Sequence, residues 1–205
     1  GDGAIDPTPV ISMVGLIEKA ERVTRSFIKE SGQSIILIGG LPDELGGSYF
    51  LQTEYGKKEG TCPNVDLAEE KKVQDFLIST IDAGHICAAH DIAEGGLLVA
   101  LAEMFFEKPE LGVDLTIDSI GNSNRLDALL FGESQGRVLV SVSSDNKDEV
   151  LRMAQENGLS ANYLGTSNTT GSFKLSVDGN EILDSSVNKL HKVWSESIPQ
   201  KMNHN

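Results

Sequence analysis

Positive charge is in short supply here: 17 Lys and Arg stand against 31 Asp and Glu in 205 residues, a formal net charge of −14 at pH 7. Nucleic acid and anionic membrane surfaces are met by clustered Lys and Arg. No such cluster exists, and the densest charged run, Glu69-Glu70-Lys71-Lys72, is mixed in sign. Long apolar runs are missing too. The longest cover residues 34–41 and 97–102, far below the roughly 20 that a bilayer-spanning helix needs. Cysteine is limited to Cys62 and Cys87, which share no metal-type spacing; two free thiols and a reducing, cytoplasmic compartment are expected. The acidic opening Gly1-Asp2-Gly3 has no apolar run, so no signal peptide is read, and the start without Met reads as a piece of something longer. Aromatic residues make up only 5%, whereas there are 21 glycines. That balance points to many turns and close backbone approaches, not to disorder. The length fits one domain with a core of its own.

The chain divides into an extended linker over residues 1–9, a single domain over 10–198 and a frayed polar tail over 199–205. Pro7 and Pro9 hold their predecessors extended, and the near-continuous apolar stretch 10–16 then predicts a strand. Further strands are predicted over 34–38, 86–90, 113–117, 137–142, 162–166, 172–177 and 181–183, the last after the Asp178-Gly179 turn. The clearest helix spans 66–83: Asp66 and Glu69 have capping-box spacing, Val73, Phe76, Leu77 and Ile81 share a face, and Gly84 stops it. Other helices are predicted over 95–106, 124–130, 145–157 (capped) and 186–198, the last with Trp194 as core packing, and 48–55 is a short helix or a turn. Strands and helices mix without strict alternation, so the expected class is α+β, a mixed β-sheet flanked by α-helices.

Three glycine-bearing corners carry the candidate chemistry. In His90-Asp91-Ile92-Ala93-Glu94-Gly95-Gly96-Leu97 a strand ends in His-Asp and two glycines open an apolar helix. Free N–H groups and close backbone access suit a ligand there, and Asp91 and Glu94 can hold Mg²⁺ together with substrate phosphates. Equally, Asp91 can cap the helix, the glycines can serve helix–sheet packing and His90 can be a satisfied core residue. Phe131-Gly132-Glu133-Ser134-Gln135-Gly136-Arg137 brackets three polar side chains with glycines, as a ligand loop or a solvated turn. Asp43-Glu44-Leu45-Gly46-Gly47-Ser48 is an anion nest or an ordinary loop. The three corners are expected to converge around one pocket mouth. No catalytic side chain is assigned: there is no P-loop, no nucleophile elbow and no zinc-type His pair.

In this order, with Thr8-Pro9-Val10 and Met13-Val14-Gly15-Leu16-Ile17 ahead of them, these segments resemble phosphoribosylformylglycinamidine synthase, and within it the C-terminal domain of the second half of the synthetase subunit. The resemblance runs from about residue 5 to 198. It implies the fold of the C-terminal domain of aminoimidazole ribonucleotide synthetase. It also implies a ligase of purine biosynthesis that converts formylglycinamide ribonucleotide to the amidine, using ATP, Mg²⁺ and glutamine-derived ammonia. Its partners would be the N-terminal domains of the same polypeptide and the glutaminase and small accessory subunits, with neither nucleic acid nor membrane involved. The chain alone would be inactive and able to self-associate. The resemblance implies substrate or nucleotide contacts at Glu133, Ser134, Gln135, His90, Gly95, Gly96, Gly46, Gly47 and Ser48, and metal contacts at Asp91 and Glu94. In that family the ribonucleotide-gripping Glu-Ser-Gln belongs to the first half, so here an auxiliary nucleotide site left by duplication is the alternative to a working one. Other outer domains of the superfamily (selenophosphate synthetase, thiamine monophosphate kinase, hydrogenase maturation type) and a non-catalytic scaffold are the remaining readings.

Overall fold

The strand β1 (Gln33–Ile38) is buried at all six positions. Successive side chains of a strand point to opposite faces, so both faces of the sheet must be covered at that point. In the computed structural model, which describes residues 9–17, 19–41, 43–118 and 125–202, they are. Ile35 and Leu37 join one apolar cluster and Ile36 and Ile38 a second.

The sheet has seven strands: β1, β2 (Ile86–Asp91), β3 (Gly112–Ile117), β4 (Val138–Ser143), β5 (Ala161–Asn168), β6 (Ser172–Val177) and β7 (Asn180–Ser186). Their order is β2-β4-β1-β5-β3-β6-β7. Every pairing is antiparallel except β3 with β6, so the sheet is mixed. One face is covered by α3 (Gly96–Glu103), α4 (Leu126–Phe131) and the start of α6 (Val187–Met202), through Leu97, Leu101, Leu129 and Val187. Among the described residues the other face is covered only at the β2-β4-β1 end, by Val73 and Phe76 of α2 (Leu67–Asp82) and Val150 and Ala154 of α5 (Lys147–Glu156). β3 therefore alternates, with Val113, Leu115 and Ile117 inside and Asp114 and Thr116 in water. In β2 a register shift between Ile86 and Ala88 sends these two to opposite faces, which a regular strand would not do. The remaining helix, α1 (Tyr49–Tyr55), has no buried residue. The α+β class with helices flanking a mixed sheet is what the sequence predicts.

Several expectations need correction. Residues 10–16 form no strand; Val10, Ile11, Met13, Val14 and Leu16 are 83–100% exposed. A strand requires a neighbour for its N–H and C=O groups, and among the described residues none pairs with this stretch. Trp194 is not core: it is 54% exposed, because α6 buries only Val187 and burial fades along the helix. α6 also runs past residue 198 to Met202, carrying Pro199, whose fixed φ suits a helix although its missing N–H gives up one bond. Only 203–205 of the expected tail lie outside the described residues, as do most of the linker and Asn124 of the predicted 124–130 helix. α3 ends at Glu103 and continues as turns, not as helix to residue 106. At α2, Asp66 accepts from the amides of Ala68 and Glu69, but the Glu69 carboxylate pairs with Lys72 and completes no capping box. α5 begins at Lys147 behind a short 3₁₀ turn and has no side-chain cap.

Candidate functional site: a mouth of three turns at one sheet end

Val138 opens β4 and pairs with Ile38, the last residue of β1, on one side and with Asp91, the last of β2, on the other. The chain leaving β1, the chain leaving β2 and the chain entering β4 therefore share one end of three adjacent strands. That register is why the three predicted corners meet.

Glu133 makes the junction. One carboxylate oxygen, Oε1, accepts the backbone N–H of Tyr49 and that of Gly95, each at 2.9 Å. The neighbouring Ser134 hydroxyl donates to the Glu44 carboxylate at 2.7 Å. Phe131 stacks on Phe50 with ring centroids 4.6 Å apart and planes 12° from parallel. Gly96, at φ +71°, backs onto the same strip; a Cβ there would lie 2.7 Å from the Phe131 backbone, so only glycine permits the approach. Gly46 serves a similar contact, where a Cβ would stand 1.9 Å from the Thr61 carbonyl oxygen. Ser48 is buried and its hydroxyl caps α1 by accepting from Leu51 N–H at 3.3 Å. Gly47 takes a left-handed conformation and donates its N–H to Glu59 O.

Behind the mouth lies Arg137, 4% exposed. Its Nε donates to Ser134 O at 3.0 Å and its Nη2 to Gly132 O at 2.6 Å, bracing the 132–136 turn from inside. Burial pushes its pKa down to about 10, partly offset by the Glu44 charge, so it stays cationic at neutral pH. Gln135 faces outward. With Gly39, Gly40, Asn64 and Glu70 it lines an open cleft of about 380 Å³ beside the mouth.

On the β2 side, His90 Nδ1 donates to the Asp91 carbonyl at 2.7 Å, and Nε2 lies 3.4 Å from Glu103 Oε2. The other Glu103 oxygen accepts the Trp194 indole N–H at 2.9 Å, tying α6 to the β2 end. Asp91 is 79% exposed, 3.6 Å from His90 Nδ1, and Glu94 is also exposed. Among the described residues no three His, Cys, Asp or Glu gather as a metal cage. Neither thiol competes for a role: Cys62 is exposed, while burial pushes the half-buried Cys87 up.

Sequence reading alone did not reveal the brace by Arg137, the Phe50–Phe131 stack or the Glu103–Trp194 link. The residues joined across the mouth are 38 to 90 positions apart, and nothing local in the sequence couples them.

Among the described residues, no helix is long and apolar enough to cross a membrane. The chain is 40% identical over 200 residues to phosphoribosylformylglycinamidine synthase subunit PurL of Moorella thermoacetica, covering 98% of this chain and 27% of that protein. It thus spans about a quarter of the length of the curated relatives it matches. Among solved structures, T. maritima PurL complexed with FGAR superposes with a TM-score of 0.73 at 20% identity, over 84% of this chain and 30% of that one. T. maritima PurL complexed with ATP gives 0.68 at 20%, over 84% and 28%. The mixed sheet thus has counterparts in known folds, and residues 30–178 match the model of the AIR synthase related protein, C-terminal domain, the family to which this chain belongs.

Proposed function

We propose that this chain is the outer, C-terminal domain from the second half of a phosphoribosylformylglycinamidine synthase synthetase subunit. It works as one wall of a nucleotide-bearing cleft whose other wall is contributed by the rest of the polypeptide. The observation that carries this reading is the meeting of three turns, from residues 44–48, 91–96 and 132–136, at one sheet end. In the whole protein the reaction is ATP-dependent conversion of formylglycinamide ribonucleotide to the amidine with glutamine-derived ammonia. The chain alone is inactive. The relatives are named as a subunit, which supports further partner chains; the family resemblance gives these as a glutaminase and a small accessory subunit. Two free thiols, one of them exposed, suit the reducing cytoplasm.

The exposed carboxylates of Asp91 and Glu94 fit a Mg²⁺ that keeps its waters and shares a nucleotide phosphate, and do not fit a closed protein cage. Bound there, the metal would neutralise phosphate charge. The chain's own part is to hold the turns: Ser48 caps α1, Gly96 admits the close approach of the Phe131 strip, and Gln135 presents an amide at the rim. The apolar segment 10–17, exposed on both faces, offers an apolar surface on which the rest of the polypeptide docks.

Titration calorimetry with Mg-ATP tests the cleft. Weak heat is expected from the parent chain, and Asp91→Ala should abolish it. Amidine formation by the chain alone would overturn the fragment reading. Absence of heat both here and in the full-length polypeptide would overturn the nucleotide reading.

A further inference from the structure

The Glu-Ser-Gln triplet divides its labour. Ser134 is engaged by Glu44, and Gln135 faces the cleft. Glu133 turns inward, and its Oε1 takes two amides from two different helices: Tyr49, the first residue of α1, and Gly95, the left-handed residue that opens α3. Both N–H groups stand at helix starts, where no carbonyl four residues back is available to them. A single acceptor shared by two donors fixes their separation to within hydrogen-bond geometry.

The rest of the neighbourhood shows why that separation needs a clasp. α1 buries no residue of its own. The 46–61 segment that carries it closes at a neck, where Gly47 N–H donates to Glu59 O at 3.1 Å and Gly46 lies against Thr61. Beyond the neck, α1 meets the body through Phe50 on Phe131 and Tyr49 on Glu133. The strip 131–134 is itself held rigid by buried Arg137. A firm strip thus grips a lightly buried helix on one side and the Gly95-Gly96 turn on the other.

We propose that Glu133 is a positioning residue, which sets the placement of the α1 start against the Gly95-Gly96 turn. That positioning role rests on the nucleotide reading of this mouth, whereas the clasp itself does not. What the clasp needs is an acceptor oxygen at the right reach, and charge is secondary. Glu133→Gln keeps such an oxygen at the same length; Glu133→Ala removes it; Glu133→Asp retracts it by one methylene.

Amide hydrogen exchange followed by NMR reads this directly. In Glu133→Ala the Tyr49 and Gly95 amides should exchange together, about tenfold faster than in the parent, the upper end of the loss expected for one hydrogen bond. Slow exchange at Leu37 and Val140 in the central strands would confirm that the fold persists. Glu133→Gln should restore both amides to within about threefold of the parent. If Glu133→Ala does not fold, Glu133→Asp supplies the comparison and should release both amides. Unchanged exchange in the alanine or aspartate variant, or equal release in the glutamine variant, overturns the proposal. Failure of both the chain and the full-length polypeptide to bind Mg-ATP would end the nucleotide reading and leave this exchange pattern intact.

Discussion

Residues 33–38 and 10–17 are both short apolar runs, and they end in opposite surroundings. Ile35 to Ile38 are wholly buried between two layers of helices, whereas Val14 is fully exposed and Met13 and Leu16 are each 92% exposed. The difference is one of partners. β1 has β4 on one side and β5 on the other, with helices above and below. The earlier run has neither among the described residues. Apolarity on two faces states a demand for two covers; only the chain around it meets the demand.

This contrast can be broken or sharpened experimentally. The largest effect is expected from Leu37→Ala, which opens a cavity in a closed layer and should cost about 2–5 kcal/mol by denaturant unfolding. Val14→Ala should stay within about 0.5 kcal/mol. An equal loss at both sites would mean that the 10–17 run packs in solution. Next comes Gly96→Val, where a left-handed φ and the Phe131 backbone together should cost about 2–4 kcal/mol. Gly15→Ala, with nothing within 4 Å of the added methyl, serves as its neutral counterpart, and a melting temperature unmoved by Gly96→Val would count against the close contact. The smallest effect on stability belongs to the double change Val14→Asp and Leu16→Asp, within about 0.5 kcal/mol. In sedimentation, however, the parent chain is expected to self-associate through this run, and the double change should abolish that. Persistence of the associated species would place the sticky surface elsewhere, with Val193, Trp194 and Ile198 of α6 the next exposed apolar group.

Much of the fold was legible. β1, β3 and β6 declare themselves by apolar alternation or a solid apolar run, and α2 by its face of Val73 and Phe76 between Asp66 and Gly84. The glycine corners were legible as corners. Their roles were less so: Gly96 and Gly46 serve close packing within the chain, and Ser48 serves as a cap. Trp194 misled because helical spacing marks a face without saying how far that face stays in contact with the body. The 10–16 run misled for the same reason, since a strand pattern carries no information about whether a neighbour is present.

Local pattern, read from composition, turn residues and apolar period, was enough to determine most of the strands and helices, though not the fate of the 10–16 run, because those preferences act over a few residues. The strand order β2-β4-β1, and with it the gathering of residues 44–48, 91–96 and 132–136 at one end, came only from the tertiary structure. So did the clasp of Glu133 on Tyr49 and Gly95, bonds spanning 84 and 38 residues. Hydrogen bonds between distant turns depend on which strands lie side by side, and that is settled by burying both faces of β1 at once.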